Sequence, residues 1–284
     1  MAWQISSETG VMTDVLLCRP DHYHWIPTNA VAEHTLQSDR RLDTQRAMAQ
    51  YEELVRLLER EGVTCHFLTP DHVLPYQTYT RDSSIVGPFG PILSQLRMAE
   101  RRGETGEIVR FYGGTFWHHA SAGALEGGDV HFIRPGQAAI GYSGVRTTEA
   151  AARQLALRLN HENWQTRLIP FAAHFLHLDV LFCMATERLA IACIEVLGEE
   201  FAEWLGGLGI GIIDASYREV MAMGCNVLAL GGNRVISPAH SARLNGALRA
   251  AGVAVLDPPL DCFASGGGSI HCMTMPLRRE PVAA

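Results

Sequence analysis

Residues 130–169 read VHFIRPGQAAIGYSGVRTTEAAARQLALRLNHENWQTRLI, and the order of patterns within them decides the kind of fold the chain adopts. The apolar run at 130–133 enters as a strand behind the glycine pair Gly127-Gly128, and 138–142 is a second strand. Arg146-Thr147-Thr148-Glu149 then opens a helix through about Leu159, with Thr147 or Thr148 as its N-cap. Residues 164–169 return as a third strand. Two strands, a helix and a strand make an α/β unit whose helix packs back on its own sheet.

The same rhythm recurs on both sides. Residues 13–18 (TDVLLC) form a short buried strand, and an irregular stretch with His22, His24 and Trp25 follows, the letters of a pocket lining or, the favoured reading, of cover for a sheet edge. Between 42 and 61, Met48, Tyr51, Val55 and Leu58 recur at helical spacing, Gly62 ends the helix, and 63–68 is a strand. Downstream, 188–196 and 210–214 read as strands around a short helix near Phe201. Residues 226–237 read as a hairpin with a glycine-asparagine turn, followed by a helix at 240–251 and a strand at 253–256. The period is about 50 to 60 residues without repetition of the letters themselves. No linker divides the chain, and its 284 residues suit one large domain or two smaller ones.

Composition narrows the function classes. Hydrophobic residues at 47% and charged ones at 19% describe a globular protein. A net charge of −7 argues against sequence-independent nucleic-acid binding, which needs a basic face to displace counterions. No apolar run approaches the roughly 20 residues that cross a bilayer, and the start lacks a basic segment followed by an apolar one, so no membrane and a cytoplasmic setting are expected. The seven cysteines are irregularly spaced and odd in number, and no CxxC occurs. Thiols free for chemistry are the expectation in a reducing compartment.

Against that background one cysteine stands out. Gly266-Gly267-Gly268-Ser269-Ile270-His271-Cys272 puts a thiol behind a glycine run that lets backbone approach a ligand, with Arg278-Arg279 just beyond. A buried, inert thiol is the plain alternative. Asp82 lies where a polar loop meets a strand, the position of either a turn cap or a cleft residue. Glu126 and Asp129 flank the glycine pair so that both carboxylates can point inward, although a β-turn has the same letters. If His174 to Met184 is extended, His177 and Asp179 project to one face over an apolar back. Arg146 is a surface residue or an anion fork, and most of the charged run from Arg97 to Glu104 reads as a solvated helical face.

Together these residues favour a cationic substrate. A thiol beside an imidazole is a nucleophile with a proton shuttle. Several carboxylates around it suit a planar guanidinium, which two of them can grip by paired hydrogen bonds, leaving the central carbon open to sulfur. The positive substrate also helps to ionise the thiol.

In order, Thr80-Arg81-Asp82, Glu126-Gly127-Gly128-Asp129, His177-Leu178-Asp179 and Cys272-Met273-Thr274-Met275-Pro276-Leu277 resemble the motifs of the guanidine-modifying, or pentein, superfamily, most of all arginine deiminases and dimethylarginine dimethylaminohydrolases. The resemblance covers nearly the whole chain. It implies a single catalytic domain over residues 1–284, a five-bladed α/β propeller of ββαβ units around a central polar channel. It also implies the roles. Cys272 attacks the guanidinium carbon to give a thiouronium, and His177, oriented by Glu126, protonates the leaving amine and then activates water. Asp82 and Asp179 hold the guanidinium nitrogens, Asp129 belongs to the substrate contacts, and Arg101 and Arg146 take the substrate carboxylate. The implied substrate is arginine or a substituted arginine, giving a citrulline-type product and ammonia or an amine. No cofactor or metal is implied, and a homodimer is left open.

Departures are visible as well. Ser83 stands where arginine deiminases commonly have proline, and Tyr76 where they have asparagine; their helical insertion between the histidine and cysteine motifs is absent. His271-Cys272 followed by Thr274 is also similar to amidinotransferases, so transfer of the amidino group to an acceptor amine is the alternative. Two readings of other classes are a zinc hydrolase with ligands His174, His177 and Asp179, and a non-catalytic guanidinium-binding protein.

Overall fold

The patterns read above become five three-stranded sheets in the computed structural model, which describes residues 3–38 and 40–282. In chain order the strands are β1 (Met12–Cys18), β2 (Thr64–Leu68), β3 (Ser84–Gly87), β4 (Gly90–Leu93), β5 (His118–His119), β6 (Val130–Arg134), β7 (Gln137–Tyr142), β8 (Gln165–Pro170), β9 (Phe182–Thr186) and β10 (Leu189–Ala192). They continue as β11 (Gly211–Asp214), β12 (Leu228–Gly231), β13 (Arg234–Ile236), β14 (Ala254–Leu256) and β15 (Met275–Arg279). Each sheet joins an antiparallel pair to a parallel third strand, as β6-β7-β8 does in register from Val130↔Ile140 and Gln137↔Gln165. Parallel neighbours need a crossover, and helix Glu149–Asn160, capped by the Thr148 hydroxyl, supplies it here. The expected ββαβ unit is thus present five times, the fifth sheet being β15-β1-β2, whose last-made strand pairs with the first.

Burial gives the sheets their orientation. The leading strands β3, β6, β9, β12 and β15 are almost wholly buried, whereas the third strands β2, β8, β11 and β14 are largely exposed or half-buried. The leading strands therefore surround the centre, and apolar side chains such as Leu16, Ile85, Phe132, Ile140, Phe182 and Leu228 fill the layers between neighbouring sheets and helices. Along the centre runs a polar column of buried Glu8, Arg81, His131, His271 and Arg279, which fills the expected channel with side chains. Arg279 donates to the carbonyls of Gly10 and Ala229, tying the β15 sheet to β12. Among the described residues no helix is long and apolar enough to cross a membrane.

Several local expectations change. The segment around His177 is not extended: His177 is the N-cap of a single helical turn, Leu178–Leu181, and the strand starts only at Phe182. Asp82 likewise lies in a helical turn, Thr80–Ser83. In the charged run, Arg101 and Glu104 are buried because they pair with each other, so the solvated face is confined to their neighbours. Residues 188–196 divide into β10 and a helical turn, Ile194–Leu197. Helices Ala30–Gln37 and Tyr217–Met221 were not expected at all. The Gly232-Asn233 turn is as read, with φ of +58° and +56° at its two residues, the left-handed geometry a two-residue hairpin demands.

Candidate active site

Every leading strand is preceded by a turn at its N-terminal end, and the candidate residues sit in those turns. Asp82 precedes β3, Glu126 and Asp129 precede β6, His177 and Asp179 precede β9, and Cys272 precedes β15. These six residues, together with Arg101 and Arg146, are buried.

Around the sulfur, Cys272 Sγ lies 3.3 Å from Asp179 Oδ2, and Asn226 Nδ2 donates to it at 3.1 Å. Burial, then the charges of Asp179 and Asp82, push the thiol well above its ordinary pKa. Asp179 moves the other way: burial opposes its charge, but its hydrogen bond with His271 (Nδ1 to Oδ2, 2.9 Å) and the charges of His271, His177 and His131 together bring it down to about 2. A carboxylate and a thiolate would not share this contact, so Cys272 is a thiol donating to Asp179.

The imidazole lies in a second string of charges. His177 Nε2 contacts Glu126 Oε2 at 2.8 Å, and its Nδ1 stands 3.5 Å from Asp82 Oδ1. Burial disfavours the imidazolium, yet Asp82, the Glu126 hydrogen bond and Asp129 together bring His177 up to about 9. Glu126 is correspondingly lowered to about 2, burial being overcome by the His177 hydrogen bond and Arg146. At neutral pH the pair is an imidazolium on a carboxylate. The two strings are tied together through the backbone, since Arg81 N donates to the Cys272 carbonyl at 3.0 Å.

Asp129 and Arg101 differ from what the resemblance implies. Asp129 accepts the Leu178 N–H at 2.8 Å, holding the turn that carries His177, and burial raises it to about 7. Like His177, Asp179 and Glu126, it is not among the residues that line the cavity at Cys272. Arg101 forks Glu104 at 2.7 and 2.9 Å, donates to the carbonyls of Tyr76 and Tyr79, and pairs with Asp82. That leaves it little capacity for a substrate carboxylate. Arg146 is less committed, with the Thr28 carbonyl at 2.7 Å and Glu126 at 3.4 Å. His174 is exposed beside Tyr217 and is not gathered with His177 and Asp179, so the zinc ligand set does not assemble.

A small cavity joins Asp82, Arg101, Arg146 and Cys272 under a roof of Asn29, Tyr76, Tyr79 and Gly266 to Gly268. A larger groove between His34, Met221 and His240 contains none of these groups, so the chemistry belongs to the small cavity. The roof requires glycine: a Cβ on Gly268 would enter the Tyr79 ring, and Gly267 has φ +96° against the Asn29 amide. Asn29 and Tyr76 both donate to the Gly266 carbonyl, pinning the run in place.

Asn226, Glu8, Arg81, Tyr76 and Tyr79 were not picked out as site residues. Asn226 opens a hairpin and looked like a strand-start polar residue. Only its place at the head of a leading strand, equivalent to the other site positions, marks it. Glu8 and Arg81 pair at 3.4 Å beside His271, which depends on a contact across 73 positions of sequence.

A ring of five such sheets with its polar groups converging on one thiol is the architecture of the penteins, the guanidine-modifying α/β propellers. Residues 20–279 match the family described as N,N dimethylarginine dimethylhydrolase, eukaryotic, and the chain belongs to that family. An arginine deiminase of Mycobacterium marinum is 29% identical over 249 residues, 74% of this chain and 62% of that protein. The N(G),N(G)-dimethylarginine dimethylaminohydrolase of Mycobacterium tuberculosis is 23% identical over 236 residues, 83% of this chain and 77% of that protein. The chain thus spans only 61% to 62% of the length of the arginine deiminases it matches, such as those of Mycobacterium marinum and Rhodococcus opacus. Among solved structures, the N-terminal domain of ArgZ, a cyanobacterial arginine dihydrolase, in a cysteine-to-serine variant bound to substrate, has a TM-score of 0.80 at 21% identity, covering 95% of this chain and 99% of that one. A cysteine-to-serine variant of DDAH from Pseudomonas aeruginosa complexed with citrulline gives 0.78 at 21% identity, covering 93% and 99%.

Proposed function

We propose that the chain, as one catalytic α/β-propeller domain, is a cysteine-dependent hydrolase of the guanidino group of arginine or an N-substituted arginine. The observation that carries this reading is a pair of orphaned acceptors. Among the described residues, Asp179 Oδ1 is buried without a hydrogen-bond donor, and Asp82 Oδ1 faces only the His177 Nδ1 at 3.5 Å, which is not aligned as a hydrogen bond. Leaving a charged oxygen so is costly, and a planar cation with N–H groups on two edges repays both at once.

The reaction then follows from the protonation states. With the guanidinium on Asp82 and Asp179, its positive charge offsets the carboxylates that keep Cys272 protonated. Sulfur bonds to the guanidinium carbon, the C–N bond breaks, and the leaving amine takes a proton from His177. The thiol proton leaves with that amine as the ammonium ion, so His177 is left neutral. Water, losing a proton to the now neutral His177, adds to the thiouronium carbon; the C–S bond breaks and leaves a ureido product and the free thiol. Glu126 keeps the imidazole oriented through this cycle and favours its charged form at the start and end of each turnover. Arg146, the less committed arginine, takes the α-carboxylate, while Arg101 holds Asp82.

The test is to incubate the purified protein with arginine, monomethylarginine and asymmetric dimethylarginine, scoring ureido product, ammonia and methylamines. At least one substrate is expected to turn over without an acceptor amine, and Cys272→Ser to bind it without turnover. Product formed only when glycine or lysine is added would replace hydrolysis by amidino transfer, and retained turnover in Cys272→Ser would remove the nucleophile.

A further inference from the structure

Four of the five leading strands bring a proposed reactive or ligand-holding group to the centre, and the fifth, β12, brings Asn226. This residue is wholly buried, and all its side-chain hydrogen-bonding capacity is used. Oδ1 accepts the backbone N–H groups of His271 at 3.0 Å and Cys272 at 3.2 Å. With the oxygen fixed by two donors, the amide has one orientation, and Nδ2 must face the other way. Its two N–H groups go to the Asp179 carbonyl at 3.2 Å and to Cys272 Sγ at 3.1 Å. One side chain therefore fixes the turn that presents the sulfur, the backbone of the carboxylate beside it, and the sulfur itself.

We propose that Asn226 anchors the nucleophile, its side-chain N–H setting the position of Cys272 Sγ and stabilising the negative charge that develops there as the proton leaves. The proposal rests on the reading of Cys272 as nucleophile. Its physical basis is the gain of a hydrogen bond when the acceptor becomes an anion, roughly a doubling in strength over a neutral pair. Around this sulfur the nearest carboxylates, Asp179 and Asp82, both disfavour a thiolate. Asn226 is a donor already aimed at it, with nothing to reorganise when the charge appears.

The structural part of this role and the electrostatic part separate in two variants. Asn226→Asp keeps an oxygen for the His271 and Cys272 N–H groups and loses the donor to sulfur. Asn226→Ala loses the donor without adding a charge. In both, the rate of Cys272 alkylation by iodoacetamide is expected to shift its pH profile upward by about one unit or more, and kcat to fall about 10- to 100-fold. Arginine affinity, measured in a Cys272→Ser background, is expected to change far less in Asn226→Ala. A residue that merely braced the turn would lower the melting temperature and leave the alkylation profile in place, and that result in the folded variants overturns the proposal. Cys272→Ala, run alongside, separates the two failures. Turnover retained there removes the nucleophile and this proposal with it, whereas an inert Cys272→Ala beside unmoved Asn226 profiles removes this proposal alone. If neither Asn226 variant folds, wild-type protein labelled with 15N-asparagine carries the test. Its Asn226 amide protons are expected to shift as Cys272 ionises, and signals indifferent to that ionisation overturn the assignment.

Discussion

Replacing Glu126 by glutamine isolates the charge on one partner of the imidazole. The side chain keeps an acceptor for His177 Nε2, now at 2.8 Å from Glu126 Oε2, but loses its negative charge. His177 stands at about 9 against an ordinary 6.5, a difference worth roughly 3 kcal/mol in favour of the imidazolium at about 1.4 kcal/mol per unit. Burial opposes that charge, and Asp82, Asp129 and Glu126 supply it between them. Exchanging a hydrogen bond to a charged group for a neutral one removes about 1 to 2 kcal/mol, so His177 in Glu126→Gln falls by about one unit, toward 8. The sign follows from the raised histidine. Its contribution to stability is complete below pH 6.5 and is lost as pH rises through about 9. With His177 as the acid that protonates the leaving amine, the alkaline limb of kcat/KM, which reports the free enzyme, follows the same pKa. Ureido product measured from pH 5.5 to 10, with the His177 ring followed by NMR, is expected to show that limb about one unit lower in Glu126→Gln. A folded variant with an alkaline limb coincident with wild type would refute the assignment of the imidazolium as acid.

Other expectations are as direct. Arg146→Ala is expected to raise KM about 10- to 150-fold with a smaller effect on kcat, the loss of a charged hydrogen bond of about 1.5 to 3 kcal/mol; an unchanged KM would place the carboxylate elsewhere. Gly128→Ala sets a Cβ 2.8 Å from His177 Cγ, so kcat should collapse and the melting temperature fall by an amount equivalent to about 1 to 3 kcal/mol of overpacking, checked by calorimetry and the product assay. In acid, Glu126 and Asp179, both lowered to about 2, and Glu8, lowered as well, lose their stabilising charge as pH falls from their unfolded values through about 2. His131, lowered to about 4 mainly by burial, acts in the same direction between pH 6.5 and 4. Melting temperatures should therefore drop steeply below pH 5, and a flat profile would contradict the paired state of these carboxylates.

How much of this was legible beforehand depended on the range of the interaction. Strands and crossover helices follow from local periodicity: of the four residues at helical spacing, Tyr51 and Leu58 are buried in helix Thr44–Arg60, while Met48 and Val55 are half-buried at the edge of a face centred on Leu54. Helix Ala30–Gln37 buries only Ala32 and Thr35, too few apolar positions to leave a pattern. The turn at His177 was read as extended because alternating His177, Leu178, Asp179 and Val180 also fits one helical turn, and only the Asp129 carboxylate on Leu178 N decides between them. The site residues were recognisable as chemistry-bearing letters in order. Their division of labour was not, because it depends on which side chains fold inward to pair: Arg101 is absorbed by Asp82 and the nearby Glu104, and Asn226 reaches Cys272 from another sheet.

The pairing of β15 with β1 has a consequence for biosynthesis. A chain leaving the ribosome makes the imidazole and carboxylate blades first, while the segment bearing the thiol comes afterwards and reaches its place only by docking on the strand made earliest. Arg81, waiting in the β3 turn, receives it through the carbonyls of His271, Cys272 and Thr274. With Cys272 as the proposed nucleophile, a polypeptide lacking β15 is expected to be inert toward guanidines, and the docking of β15 on β1 would complete both the sheet and the site.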